Sequence, residues 1–185
     1  MIMGYEVAIN KAWEEVFLYN IGKETAVKFL GDEYTLDPEN KKVISLACNI
    51  TAKDFYSILI LHYLVQMAKG LPLLTGEWVS FKEMAGVEGY ASAFRKRAIE
   101  PIIRKYGAHP EGILSVLDRL TGKKINQGDI GIVLEVFKGV PVLVTLWKAD
   151  DEFGPEANML FDRNIAKIFC IEDVVVLAGL VASSL

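Results

Sequence analysis

The chain carries only two cysteines, Cys48 and Cys170, and two histidines, His62 and His109, in 185 residues. That is too few and too scattered for a zinc knuckle, an iron–sulfur cluster or a metal-binding histidine pair, so no zinc or iron–sulfur cofactor is expected. Basic charge is not in excess either. Twenty Lys and Arg against twenty-four Asp and Glu leave a net charge of -4 and a pI near 5.3. Such a chain has no global field for a phosphate backbone, and nucleic acid is not an expected partner. Long apolar runs are missing as well. Residues 55–68 are interrupted by Ser57, His62 and Gln66, and residues 174–182 fall about ten short of a span, so no membrane is expected. The first six residues lack the basic and apolar regions of a signal peptide, with Glu6 where an apolar core would be needed, which points to the cytoplasm and to two reduced thiols. No P-loop, G-x-G-x-x-G, G-x-S-x-G or H-E-x-x-H pattern occurs, so the common nucleotide, acyl-transfer and zinc-hydrolase chemistries lack their motifs.

What is abundant is apolar residue, at 52% of the chain. A chain of this length buries roughly 70% of the surface its unfolded form exposes, enough for one core without a staple, and residues 1–185 read as a single globular domain. Residues 5–20 carry Ile9, Ala12, Trp13, Val16 and Phe17 on one helical stripe. Residues 25–30, 33–36 and 43–47 read as a short antiparallel meander, with Gly31-Asp32 suited to a type II′ turn. Thr51 and Asp54 approximate a capping box for a helix over residues 52–69. That helix is apolar nearly all the way round, which marks it as central and mostly buried.

Pro72 and Gly76 exclude a regular helix over residues 71–79, and Ser80 with Glu83 forms an S-x-x-E capping box after that loop. Tyr90, Phe94, Ala98, Ile102 and Tyr106 recur every four residues as a helix stripe that Pro101 should kink or divide. Residues 110–120 read as a further helix, and residues 171–185 as a closing one. Residues 131–137 and 140–148 alternate as a hairpin through Lys138-Gly139, with Pro141 confined to a strand start or an edge, and residues 158–162 read as a strand beside it. The fold class expected is α+β, with small antiparallel sheets packed against a largely buried central helix and several surrounding helices. The 52–69 helix is expected over the hairpin.

The densest polar feature follows Trp147. Asp150, Asp151, Glu152, Glu156 and Asp162, with the amide of Asn158, sit within thirteen residues, more than turning the chain requires. Two further clusters stand beside it: Glu77-Trp78, a carboxylate next to a large ring on a loop, and the basic and aromatic group Tyr90, Phe94, Arg95 and Arg97.

With Gly76-Glu77-Trp78-Val79-Ser80-Phe81 and the stretch from Gly154-Pro155-Glu156 through Asn158-Met159-Leu160-Phe161-Asp162, the chain resembles an uncharacterised domain-of-unknown-function family found largely in anaerobic bacteria and archaea. The similarity runs from Gly4-Tyr5-Glu6 through Leu61-His62-Tyr63-Leu64 and Ala93-Phe94-Arg95 to Glu172-Asp173. The resemblance implies a cytoplasmic, single-domain protein near anaerobic one-carbon or redox metabolism. Some members add a cysteine-rich iron–sulfur segment, which two cysteines cannot supply. No catalytic residues carry over.

Three readings compete. In the first, a small anionic ligand or a protein partner is held by Glu77, Trp78, Tyr90, Phe94, Arg95, Arg97, Glu156 and Asn158, with Glu77, Glu156, Asn158 and an arginine sharing one pocket. In the second, an enzyme uses a divalent cation on Asp150, Asp151, Glu152 and Asp162, oxygen ligands of the kind magnesium or calcium takes. In the third, the acidic loop pairs with the basic helix and both are structural.

Overall fold

The computed structural model describes residues 3–22 and 24–185. Its class is α+β, with two open antiparallel sheets. The chain packs as two compact units, Met1–Pro72 and Leu73–Leu185. The boundary has a local cause. Gly70 adopts φ 92°, which ends the preceding helix, and Pro72, with no amide to donate, cannot sit in the interior of a continuing one.

In the first unit, α1 (Met3–Leu18) buries Ala12, Trp13 and Val16 completely. Strands β1 (Ala26–Phe29), β2 (Asp32–Asp37) and β3 (Lys42–Ser45) form a meander in that order. Phe29 pairs with Asp32, so the central turn residues are Leu30 and Gly31, at φ 49° and 84°. Two left-handed residues make this a type I′ turn one position earlier than the expected type II′. Helix α2 (Asp54–Lys69) buries Ser57 to Leu61 and Tyr63 to Val65, and packs against α1, β1 and β3. The Thr51–Asp54 capping box does not form. Thr51 bridges Ile44, and the Ala52 amide donates to the Val43 carbonyl at 2.8 Å, which holds both residues extended until the helix starts at Asp54.

The second unit has its own sheet and its own helical cover. Strands β4 (Trp78–Ser80), β5 (Gly122–Ile125), β6 (Ile130–Phe137), β7 (Val140–Trp147) and β8 (Glu156–Asp162) lie in the order β4-β8-β7-β6-β5. The β6–β7 hairpin is the one the alternation predicts. Pro141 faces Glu135 next to the register shift before Phe137, where a missing amide costs least. Above β8 runs a continuous helical rod: α3 (Ala91–Phe94), a π-helical turn (Arg95–Ile99) and α4 (Glu100–Tyr106). The Glu100 amide donates to Arg95, five residues back, so the rod widens just before Pro101 and absorbs the proline that the sequence reading expects to break it. Residues Pro110–Asp118 form a 3₁₀ helix rather than an α-helix. Its buried residues, Pro110, Ile113 and Val116, repeat every three positions, and it packs on β5 and β6. Helix α5 (Ile171–Ser184) closes the unit against the π turn and α3. Among the described residues no helix is long and apolar enough to cross a membrane, and Cys48 and Cys170 are both free.

The loop between β7 and β8 is pinned at Gly107. A Cβ built there would lie 2.5 Å from the Ile103 carbonyl oxygen and 2.9 Å from Pro155 Cγ. Replacing a glycine with alanine gains about 0.4–1 kcal/mol through the unfolded chain, but overpacking costs about 1–3 kcal/mol, so the clash wins. Gly107→Ala is therefore expected to lower the urea midpoint at unchanged slope; an unchanged or raised midpoint would show that Pro155 is not seated on the rod.

Candidate functional site

The β4 strand is short because both its ends are fixed. At its start, the Asp162 carboxylate reaches back to the chain before Trp78. Asp162 Oδ2 accepts from the Thr75 amide at 2.9 Å, the Thr75 hydroxyl at 3.1 Å and the Gly76 amide at 2.9 Å, while Oδ1 accepts from the Asn164 amide at 3.0 Å. At its end, the predicted capping box is present: Glu83 accepts from the Ser80 amide and hydroxyl, both at 2.7 Å, and turns the chain into the 3₁₀ helix Phe81–Glu83. The strand therefore pairs only with residues 160–162 of β8.

Where β4 leaves off, a cavity of about 520 Å³ opens against the first half of β8. Its buried lining is Phe81, Phe94, Ile99, Ala157 and Met159, and its exposed lining includes Lys82, Ser92, Arg95 and Asn158. Phe81 and Phe94 stack at 4.2 Å between centroids and 8° between planes, and Phe94 meets Phe161 edge-on at 6.3 Å. Aromatic rings in offset stacks and edge contacts hold one another in place, so this wall is rigid. The rim cations are held loosely. Arg95 Nε lies 3.7 Å from Glu100 Oε1, with both side chains more than half exposed. A cleft of this volume, apolar below and cationic at the rim, is the size and chemistry of a ligand site.

Of the residues picked out from the sequence, the cavity gathers Phe94, Arg95 and Asn158. Five others stand outside its lining. Glu77 pairs with Arg163 at 2.5 Å, both side chains largely exposed, so its arginine is Arg163 and neither Arg95 nor Arg97. Trp78 is half-buried opposite Asp162 on the β4–β8 ladder. Tyr90 donates its hydroxyl to Glu172, and that bond raises the tyrosine above its ordinary range and lowers the carboxylate. Arg97 has its Cβ beside Gly179 of α5. Glu156 is exposed at the start of β8. Glu77 and Glu156 do not join Arg95 and Asn158 in the lining of this cavity.

The oxygen ligands are not brought together either. Asp150 is the residue its turn needs: Oδ1 accepts from the Glu152 amide at 2.9 Å and the Phe153 amide at 2.7 Å, bonds that hold its carboxyl below the usual range. Asp151 and Glu152 are exposed beside it, and Asp162 is committed to β4. Among the described residues no three His, Cys, Asp or Glu side chains converge on a metal position. None of the described ion pairs joins this loop to the basic rod; they are Lys69–Glu15, Arg95–Glu100, Lys148–Glu111 and Arg163–Glu77.

Sequence reasoning passes over Phe81, Lys82, Ser92, Ile99 and Met159. A signal for two of them exists: the Ser80–Glu83 capping box requires the chain to turn at Phe81, which puts Phe81 and Lys82 at the start of that turn. Ile99 lies off the four-residue stripe and comes inward because the π turn takes up an extra residue.

Asp162 supports a prediction about the frame of the cleft. Burial alone would push its carboxyl up, and the bonds from Asn164, Gly76 and Thr75 outweigh burial, so it ends below the ordinary value. A depressed carboxyl stabilises the fold above its unfolded pKa of about 3.9 and loses that contribution as pH falls through the folded value. In Asp162→Asn, an amide NH₂ would face the donors that Oδ2 now receives, at a cost of about 1–3 kcal/mol. Chemical denaturation is expected to show that loss at pH 7 and a shrinking difference between the two proteins below pH of about 4; a difference that does not depend on pH would contradict the charged form of Asp162 in this frame.

Comparison of the chain with curated proteins and with solved structures finds no match in either. A family model does match, over residues 16–184, nearly the whole chain and both compact units. Its description is Domain of unknown function (DUF3786), and the chain belongs to that family.

Proposed function

We propose that this is a binding protein whose second unit holds an anionic group in the cleft between the rod and β8. The observation that carries this reading is the pairing of a rigid aromatic wall with two rim cations that have little else to do. Lys82 and Arg95 are both exposed at the cavity. The one ion pair of Arg95, at 3.7 Å, lies at the long end of such contacts. An exposed pair of that kind contributes about 0–1 kcal/mol, so an incoming carboxylate or phosphate displaces little. Asn158 supplies both a donor and an acceptor at the same rim. The cytoplasmic setting and a place near anaerobic one-carbon or redox metabolism belong to this reading and rest on the family resemblance.

A ligand that binds only the folded state raises its stability by mass action, by about 2.7 kcal/mol at a hundredfold excess over Kd. A thermal-shift panel of dicarboxylates, phosphates and sugar phosphates is expected to contain members that raise Tm. The Arg95→Ala protein should melt within about 4 °C of the parent without ligand, since the lost pair is exposed, and should lose the ligand-dependent rise. A panel without a single shift, or shifts that survive Arg95→Ala, would overturn the reading.

A further inference from the structure

The cleft contains more than a place for charge. Residues 156–159 of β8 pair with β7 on one side. On the other side β4 stops at Ser80, opposite Leu160, and among the described residues no strand continues its line. A strand edge exposes a row of amides and carbonyls that will pair with any extended chain laid beside it. The open row borders the cavity, since Ala157, Asn158 and Met159 line it. Four residues of strand span about 14 Å, and a volume of 520 Å³ lies within the range of a bound ligand of that reach.

We infer that the cleft takes an extended acidic peptide segment of a protein partner, added to the sheet as a short strand on the open half of β8. The inference rests on the anion-binding reading of the same cleft and names the kind of ligand. Successive side chains of a strand point to opposite faces, so alternate residues of the peptide would face the Phe81, Phe94 and Ile99 wall while those between face the rim. At the rim, Lys82 and Arg95 favour a carboxylate. Glu156, exposed at the other end of the open edge, repels one, so the acidic residue is read at the Lys82 end. A free small anion would use the two cations and leave the backbone row untouched. That row is what favours a peptide.

The test uses the full chain, labelled with ¹⁵N, and four probes: a capped hexapeptide alternating valine and glutamate, its lysine counterpart, the glutamate peptide with alternate amides N-methylated, and succinate. The glutamate peptide is expected to shift the resonances of residues 156–159, 82 and 95 and to slow amide exchange within residues 156–159. N-methylation, which removes main-chain donors at constant charge, is expected to weaken binding about tenfold, the equivalent of one or two hydrogen bonds. The doubly substituted Lys82→Ala, Arg95→Ala protein is expected to lose about tenfold while its remaining spectrum stays that of the parent. Succinate binding as tightly as the peptide, or equal binding of the N-methylated or lysine peptide, would overturn the inference; with succinate bound, the anion-binding reading would stand. Silence of the cleft resonances toward both succinate and the glutamate peptide would overturn both.

Discussion

Asp162 holds the edge of the larger sheet in place. One carboxylate takes four hydrogen bonds, from Thr75, Gly76 and Asn164, while nearly buried at 4% exposure. A buried charge is tolerated only when its lone pairs are filled in this way, and the same bonds make the position demanding: remove one partner and the rest are left desolvated. The chain before Trp78 is thereby tied to the end of β8 and not to its beginning. Since β4 starts there and is turned away three residues later by the Ser80–Glu83 box, half of β8 stays uncovered.

The helical rod supplies the other wall of the cleft, and its irregularity matters. A straight α-helix with Pro101 in its interior would lose a hydrogen bond and set the proline ring against the carbonyl four residues before it. The π turn relieves both. It also buries Ala98 and Ile99 together and leaves Arg95, at the start of the turn, exposed beside Phe94, which faces Phe81 and Phe161. One backbone adjustment thus places an apolar residue and a cation on the same cleft.

How much of this is legible in the sequence depends on how local the cause is. Helices α1, α2 and α5 and the β6–β7 hairpin declare themselves, because periods of 3.6 and 2 are properties of the segment alone. Strands β4 and β5 do not. Trp78-Val79-Ser80 and Gly122-Lys123-Lys124-Ile125 are too short to alternate, and each is a strand only because a long neighbour, β8 or β6, offers it a partner. The carboxylates mislead for the same reason. Asp150 and Asp162 look like surplus oxygen ligands in a linear count, yet one closes a turn two and three residues ahead and the other reaches chain 86 and 87 residues away. Arg95 and Asn158 can be picked out as a cation and an amide without an evident local purpose, and Phe94 as an aromatic member of a helix stripe beside that cation. Phe81, Ile99 and Met159 read as ordinary core, and only tertiary packing turns them toward a cavity.

The long reach of Asp162 also bears on the order of assembly. The β6–β7 and β7–β8 pairs are hairpins, closed through short loops, whereas the β4–β8 pair encloses more than eighty residues of chain, and the entropy of closing a loop grows with its length. By that measure β4 docks after the three central strands have formed and is the first of the four to leave, an order that amide exchange reads directly. Its departure would lengthen the open edge of β8 from four residues to the whole strand, so the docking of β4 sets how much of that edge a partner can reach.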